Sequence, residues 1–287
     1  MRYKSLLLAF LLAAASLHAQ QHFSAPRPDG KSTPLMLYKS VASNICAPLA
    51  IISHGAGGSE NGYRYLAQSM ADLGFTTIVM GHAKSGLSAL RDDMRTRGIR
   101  PGIQALVADP EAEQDRLIDI TATLNWADKQ CHAFFRVLLG HSMGAETVML
   151  DAGARNMINV TTPPAGQSRF DAYVALSPEG PGIVFPEHAW SGIRKPLLVL
   201  TGTRDGSLKG GPQARQIPWH DLPGTPAKCQ WMGVIDNASH MNFAGSGPGA
   251  NNVEPIVTQT IATFLKGVQA HSCALPSPIP EMTLQAK

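Results

Sequence analysis

Short apolar runs alternate with longer segments of helical spacing along most of the chain. The clear runs, bounded by glycine, proline or polar turn residues, are 48–53, 76–80, 137–139, 172–176, 197–200 and 230–235, and a weaker one is 35–38. Runs of this length without strict alternation are typical of strands buried on both faces, which belong to mostly parallel sheets covered by helices. The pattern therefore predicts an α/β architecture.

Helical periodicity marks several of the intervening segments. Residues 110–127 place their apolar side chains on one face and most of their charged side chains on the others. Asp109 followed by Pro110 is a typical helix start, because aspartate caps the first amides and proline fits the first helical position. Further helices are predicted over 63–73, after residue 142 and over 254–266. The segments 84–107 and 161–169 are expected to be surface insertions.

The first 19 residues have the pattern of an export signal. Arg2 and Lys4 precede an apolar run over 6–17, and Ala19 is a small residue at which the leader would be cut. A membrane-spanning helix needs about 20 apolar residues, so we expect a cleaved leader, a secreted or periplasmic protein and no stable insertion into a membrane. The predicted organisation is a signal peptide over 1–19, one domain over 20–269 and a proline-rich, disordered tail over 270–287.

Composition narrows the classes of function. A net charge of +3 over 287 residues, without a basic run, gives no reason to expect a nucleic-acid partner. The cysteines are four, an even count in a chain that carries an export signal, which predicts disulfides. None of them has CxxC spacing, so a zinc site is not expected.

The strongest chemical signal is Gly-His-Ser-Met-Gly at 140–144, which follows an apolar strand and opens a helical segment. At such a strand-to-helix turn the serine hydroxyl is exposed, and the flanking glycines let neighbouring backbone approach closely. The pattern predicts that Ser142 is a nucleophile and that the amide of Met143 faces a developing oxyanion. An unreactive serine in a glycine-rich turn can have the same sequence. Our interpretation therefore depends on the strand before the motif and the helix after it.

A second glycine-rich loop, Ser-His-Gly-Ala-Gly-Gly-Ser at 53–59, ends the first strong strand. Acyl transfer needs a second backbone donor for the developing negative oxygen, and a loop of this kind can present one. We therefore predict the amide of Ala56 as that donor. The loop lacks the Gly-Lys-Ser/Thr ending of a Walker phosphate loop, which makes a nucleotide site a weak alternative.

A serine nucleophile needs a base, and the base needs an orienting acid. Asp205 follows the run at 197–200 and His240 follows the last predicted strand, which gives the chain order serine, acid, histidine. Glu179, one strand earlier, is an alternative acid that could reach the same histidine. Segments predicted to rim the pocket supply the candidate substrate contacts Tyr63, His82, Glu179 and Trp190.

Together these motifs resemble the α/β-hydrolase superfamily, and within it the dienelactone-hydrolase-like and platelet-activating-factor-acetylhydrolase-like serine esterases. The resemblance covers roughly residues 27–266 and adds three motifs to the two loops above: RPDG at 27–30, TGTRD at 201–205 and SHMNF at 239–243. It implies an α/β-hydrolase fold with a mostly parallel, eight-stranded sheet in the order 1-2-4-3-5-6-7-8, flanking helices and a small or absent cap.

The resemblance also implies an activity, ester hydrolysis through Ser142, His240 and Asp205 without a cofactor or metal. The dienelactone hydrolases themselves use a cysteine where this chain has Ser142, which favours an esterase over their particular reaction. The expected substrate is a small-molecule or polymer ester. A thioesterase, a lipase or a polyester hydrolase on the same scaffold are the alternatives, and a hydrolase-like protein that only binds ligands is a weaker one.

The implied strand order also indicates which cysteines form disulfides. Cys46 and Cys131 each precede one of two strands that would be parallel neighbours, so their starts would lie side by side. Cys273 follows the last helix, which would end near the start of the strand after Cys229. The resemblance therefore implies the disulfides Cys46–Cys131 and Cys229–Cys273.

Overall fold

The apolar runs of the sequence form the centre of one sheet. The computed structural model describes residues 20–40, 46–163, 169–224 and 229–287, so the predicted leader over 1–19 lies outside the described residues. The strands are β1 (Gln20–Pro26), β2 (Ser32–Tyr38), β3 (Leu49–Ser53), β4 (Thr76–Met80), β5 (Arg136–His141), β6 (Ala172–Leu176), β7 (Leu197–Gly202), β8 (Gln230–Ile235) and β9 (Met282–Ala286).

These strands lie in the order β1-β2-β4-β3-β5-β6-β7-β8-β9. From β4 across to β8 every neighbouring pair is parallel, while β1, β2 and β9 pair antiparallel. The implied order is thus reproduced, with one strand more at the far edge. Because β3 to β8 run in one direction, the loops that follow them meet at a single edge of the sheet.

Helices cover both faces of the sheet. They are α1 (Arg64–Asp72), α2 (Leu87–Arg97), α3 (Ile99–Val107), α4 (Pro110–Gln130), α5 (Met143–Asp151), α6 (Ile217–His220) and α7 (Ala250–Gln269). One apolar layer packs α4 and α5 against the sheet through Ile120 and Val148, and the other packs α1 and α7 through Leu66 and Phe264. Within the described part of the chain, no helix is long and apolar enough to cross a membrane.

The insertion expected over 84–107 is not an irregular loop but a helical hairpin, α2 and α3. No residue of α2 is buried, so the helix lacks the apolar stripe by which periodicity is recognised. Gly98 turns the chain between the two helices with φ at +85°. The backbone of Met94 lies where a Cβ on Gly102 would be, so the two helices pack closely. The other expected insertion, 161–169, includes residues 164–168, which lie outside the described ones.

The prediction of a disordered tail over 270–287 is wrong for its last part. Residues 282–286 form β9, which pairs with β8 in antiparallel register from Met282 opposite Ile235 to Ala286 opposite Trp231. The prolines of the tail all precede this strand. Its side chains alternate between half-buried and exposed, and an edge strand of this kind has no apolar run to announce it.

Two disulfides connect segments at the amino ends of the parallel strands. Cys46, just before β3, bonds to Cys131 at the end of α4, with Cα atoms 5.6 Å apart. Cys229, just before β8, bonds to Cys273 beyond α7, with Cα atoms 5.1 Å apart. This is the pairing that the strand order implied.

Candidate active site

Ser142 occupies the turn between β5 and α5, and the backbone there is strained. Its φ is +56°, a conformation that residues other than glycine seldom adopt and that clusters at functional sites. A Cβ on Gly140 would collide with the carbonyl oxygen of Gly144, and a Cβ on Gly144 would collide with that of Ser53. Both glycines of the sequence motif are therefore required for the turn that presents Ser142.

Three side chains from three loops meet at the carboxyl edge of the sheet. Ser142 Oγ lies 2.9 Å from His240 Nε2, and His240 Nδ1 lies 3.0 Å from Asp205 Oδ1. These residues follow β5, β8 and β7, respectively. We call this row of hydrogen bonds the relay. Asp205 is fully buried, and Thr201 Oγ1 donates a hydrogen bond of 2.9 Å to its second oxygen.

The surroundings of Asp205 keep it ionised. Burial acts to raise its pKa, but the hydrogen bond from His240 and the positive charge of Arg215 outweigh burial, and the pKa lies below its ordinary value. A carboxylate at this position accepts a hydrogen bond from the N–H at Nδ1 of His240. The lone pair of Nε2 then faces the hydroxyl of Ser142, as required of a general base.

Arg215 is a site residue that sequence reasoning missed. Its Nε lies 2.8 Å from Asp205 Oδ1, and one terminal nitrogen lies 3.0 Å from Glu179 Oε1. The other terminal nitrogen donates to the carbonyl oxygens of Ser177 and Pro178. A single buried guanidinium thus holds two carboxylates and the loop after β6. It lies in the turn Pro212–Gln216, where no sequence motif marks it.

Glu179, the alternative acid, lies in the same cluster but does not contact the imidazole. Both of its carboxylate oxygens accept hydrogen bonds from the amide of Leu208, at 3.0 and 3.2 Å, and it pairs with Arg215. The structure therefore places Asp205, and not Glu179, next to His240.

Ser177 is a second residue that the sequence did not reveal. Its Oγ lies 2.6 Å from His240 Nδ1, and its hydroxyl also lowers the pKa of Asp205 through a hydrogen bond. Its φ of +57° is, like that of Ser142, in the left-handed region. The hydroxyl of Ser177 therefore contacts both the base His240 and the acid Asp205.

Of the two residues whose amides were predicted to face an oxyanion, Ala56 lines the same cavity as Ser142, and Met143 follows Ser142 as the first residue of α5. Within the described part of the chain, neither the amide of Ala56 nor that of Met143 has a hydrogen-bond partner. The loop that carries Ala56 is held in place on both sides. The amide of Gly57 donates to Ser85 O at 2.8 Å, and the amide of Gly55 donates to Tyr63 Oη at 3.0 Å.

Tyr63, a predicted substrate contact, connects this loop to the relay. Its hydroxyl lies 2.8 Å from His141 Nδ1, and His141 Nε2 lies 3.0 Å from the carbonyl oxygen of His240. Burial, reinforced by the charge of His240, lowers the pKa of His141 well below its ordinary value. A neutral imidazole has one acceptor and one donor, so His141 accepts from Tyr63 and donates to His240 O. Tyr63 lines the cavity at Ser142 with its ring.

The structure does not bring the other two predicted contacts to the nucleophile. His82 is buried, with Nε2 3.0 Å from Ser53 Oγ and Nδ1 2.8 Å from Asp119 Oδ2, and it borders a separate groove. Trp190 is fully buried in the core, its ring centroid 5.1 Å from that of Phe185. His82 follows β4 and Trp190 lies in the segment between β6 and β7, and both side chains are buried.

Two chambers adjoin Ser142 and His240. The larger, of about 400 Å³, is mainly apolar, and its walls include Ala56, Leu90, Ile103, Met241 and Ala244. The smaller, of about 260 Å³, is more polar, and its walls include Arg100, Ile103, Glu146, Glu179 and Arg215. Because Leu90 belongs to α2 and Arg100 and Ile103 to α3, the helical hairpin is a small cap over both chambers.

Neither a protein-family model nor a curated protein matches the chain. Solved structures do. The chain is similar to Est1E from Butyrivibrio proteoclasticus, with 16% identity, a TM-score of 0.59 and coverage of 87% of this chain and 99% of that one. It is similar to a dienelactone hydrolase from Anabaena variabilis, with 18% identity, a TM-score of 0.59 and coverage of 87% and 98%.

A third similar structure is the esterase Pf2001 from Pyrococcus furiosus, with 15% identity, a TM-score of 0.56 and coverage of 87% of this chain and 92% of that one. At such identities the likeness establishes architecture. The chain has the α/β-hydrolase fold, as the sequence motifs led us to expect.

Proposed function

We propose that the protein is an exported serine carboxylic ester hydrolase. The observation that carries this proposal is the relay, in which the hydroxyl of Ser142, the imidazole of His240 and the carboxylate of Asp205 are joined by hydrogen bonds of 2.9 and 3.0 Å. The amides of Ala56 and Met143, which have no hydrogen-bond partner among the described residues, would meet the second requirement of acyl transfer, stabilisation of a negative oxygen.

The proposed reaction has two halves. His240 takes the proton of Ser142 as Oγ bonds to the ester carbonyl carbon, and the amides of Ala56 and Met143 hold the oxygen that becomes negative. The carbon–oxygen bond to the leaving alcohol then breaks, His240 gives its proton to that alcohol, and an acyl-enzyme is left. In the second half, water that is deprotonated by His240 attacks the acyl carbon, and the bond from that carbon to Ser142 Oγ breaks. His240 returns the proton to Oγ, and the carboxylic acid leaves. Asp205 keeps the tautomer of His240 and stabilises its charged form.

The substrate class follows from the same site. In the proposed mechanism the relay supplies the nucleophile and the base, and the amides of Ala56 and Met143 supply the oxyanion donors, so the mechanism invokes no metal or organic cofactor. We propose a small-molecule or polymer ester as substrate. Esterases and a dienelactone hydrolase among the similar structures support an ester over other acyl compounds. Because this chain has Ser142 where the dienelactone hydrolases have a cysteine, we favour hydrolysis of simple esters over the dienelactone reaction.

We further propose that the protein is secreted or periplasmic. Two disulfides within the described residues support an oxidising compartment, since intracellular thiols are kept reduced in most organisms. The export pattern of residues 1–19 supports the same location.

A labelling experiment tests the proposed activity. We expect a fluorophosphonate to modify Ser142 covalently, as peptide mass spectrometry would show, and Ser142→Ala to lower kcat/KM for p-nitrophenyl butyrate by at least about 10³-fold. Ser191→Ala, at an exposed serine far along the chain, is the matched control and should keep full activity. Unchanged hydrolysis by Ser142→Ala would overturn the mechanism.

The alternatives are separated with the same protein. A series of p-nitrophenyl esters of increasing chain length, a thioester, an amide and a polyester film would be compared under identical conditions. We expect the short esters to react fastest, because the chambers are small. A preference for the thioester or for long chains would replace the proposed substrate class, while the relay would keep its role.

A further inference from the structure

Glu146 is the most unusual side chain near the relay. It lies on α5 one turn after Ser142, and its amide donates a hydrogen bond of 3.2 Å to Ser142 O. The residue is fully buried, and within the described part of the chain neither carboxyl oxygen has a hydrogen-bond partner. A buried polar group without a partner costs folding free energy, so such a group in a functional cleft requires an explanation.

Glu146 forms part of the wall of the smaller chamber, which also borders Ser142 and His240. The other charged groups of that wall have protein partners. Glu179 accepts from the amide of Leu208, and Arg100 donates to Leu208 O at 2.6 Å. Glu146 differs from them because, among the described residues, neither of its carboxyl oxygens has a hydrogen-bond partner.

The chamber is unsuited to an anionic group. Arg215, the buried cation in its wall, already pairs with the carboxylates of Glu179 and Asp205. Arg100, the other cation of the wall, is exposed and donates to a carbonyl oxygen, so solvent screens its charge. A third negative charge in the buried part of the chamber would therefore be poorly compensated, which is unfavourable. The substrate group that enters should therefore be uncharged.

The protonation state of Glu146 agrees with this. Burial raises its pKa well above the ordinary value, and the neighbouring carboxylates of Glu113 and Glu179 raise it further. A neutral carboxyl group has one O–H donor and an acceptor oxygen. A hydroxyl group, which also donates and accepts, matches both.

We propose that the smaller chamber is a subsite for a hydroxyl-bearing part of the ester, hydrogen-bonded by Glu146, while the larger chamber receives the apolar part. The inference rests on the proposed function, because the ester carbonyl must lie at Ser142 between the two chambers. The hydroxyl can belong to the acyl half, as in a hydroxy acid, or to the alcohol half, as in a polyol.

Two pairs of esters separate these sources. Ethyl 3-hydroxybutyrate is compared with ethyl butyrate, and 2-hydroxyethyl butyrate with propyl butyrate, by kcat/KM. We expect the hydroxylated member of one pair to be favoured by about tenfold or more, since a site that hydrogen-bonds a hydroxyl discriminates against its absence. The pair that shows the preference identifies the half of the ester in the chamber.

Variants of Glu146 test its part in that preference. Glu146→Leu should lower the ratio of kcat/KM for the hydroxylated ester to kcat/KM for its unhydroxylated partner to about one. Glu146→Gln should retain part of the preference, because an amide also donates and accepts. Glu146→Leu should also melt at the same or a higher temperature, since it removes a buried unpartnered polar group. A purely structural role would instead lower the melting temperature and reduce activity on all four esters alike.

Two results would overturn the subsite: no hydroxyl preference in either pair, or the same preference in wild type and Glu146→Leu. Failure of the proposed function looks different. In that case the wild-type protein would hydrolyse none of the four esters and the fluorophosphonate would not modify Ser142, and the subsite would fall with it.

Discussion

The two edges of the parallel sheet differ in what they contain. At the carboxyl edge lie Ser142, Ser177, Asp205 and His240, each in the segment that follows a strand, together with the loop of Ala56. Both disulfides lie at the amino edge. An apolar cavity of about 500 Å³ lies beside Cys131, and no residue of the relay lines it. Covalent cross-links hold one edge, while hydrogen bonds between polar groups order the other.

This difference has a physical basis. Residues at the carboxyl edge sit in loops with strained backbone, at Ser142 and Ser177, and with buried charges that are costly unless paired. Cross-links at the opposite edge restrict the unfolded chain without touching those loops. Stability and reactivity should therefore respond to different substitutions, and the predictions below test that separation.

The largest expected effect is that of Asp205→Asn. An asparagine side chain cannot hold the Nδ1–H tautomer of His240, so kcat for p-nitrophenyl butyrate should fall by about 10³–10⁴-fold. Glu179→Gln, a matched change in the alternative acid, should cost less than about tenfold, because Glu179 does not contact His240. Equal losses in the two variants would contradict the assignment of the acid.

At the other edge, removal of the second disulfide should act on stability alone. The double variant Cys229→Ser and Cys273→Ser should lower the free energy of unfolding by about 2–4 kcal/mol, because the bond closes a long loop of chain in the unfolded state. Urea denaturation monitored by circular dichroism measures the loss. The value of kcat at 25 °C should change by less than about twofold, and a large loss of kcat in a fully folded variant would break the separation of the two edges.

A smaller effect is expected for Tyr63→Phe. The change leaves the amide of Gly55 and Nδ1 of His141 without their shared partner, and loosens the loop of Ala56 relative to His240. We expect kcat to fall by about tenfold, with KM nearly unchanged, since a lost hydrogen bond corresponds to about 1.4 kcal/mol or less. Steady-state kinetics separates the two constants.

The control for Tyr63→Phe is Tyr173→Phe, which removes another buried hydroxyl, one that donates to Asp151 Oδ1 at 3.0 Å. Both variants should lose stability to a similar degree, but Tyr173→Phe should keep its kcat. A parallel fall of kcat in both would mean that Tyr63 acts only through global stability.

Much of the sheet was predictable because its central strands are buried on both faces. The strands β3, β6 and β7 are buried at every position, and such strands are apolar at nearly every position. The edge strands β1 and β9 carry many exposed positions and share their residue pattern with loops. The helix α2 was missed for the related reason that none of its residues is buried.

The residues of the candidate site also divide into those that the sequence could reveal and those that it could not. Ser142, Asp205 and His240 could be found because each follows an apolar strand and the glycines around Ser142 are obligatory. Arg215 could not, because it acts through carbonyl oxygens and carboxylates brought together only by the folded loops. Trp190 was expected at the pocket but is buried in the core, because the segment on which a residue lies does not determine which way its side chain turns. The spacing of Glu146 from Ser142, one helical turn, was a usable signal.

The helical hairpin is a single excursion of the chain between β4 and α4, and it meets the rest of the site through few side chains. Leu90 and Ile103 line the chambers, and Arg100 reaches across to Leu208 O. The hairpin therefore contributes walls of both chambers from a stretch of sequence that contains no residue of the relay. For the proposed ester hydrolase, exchange of the chamber-facing residues Leu90, Arg100 and Ile103 would be expected to alter which esters enter, while the hydroxyl, imidazole and carboxylate of the relay would remain as they are.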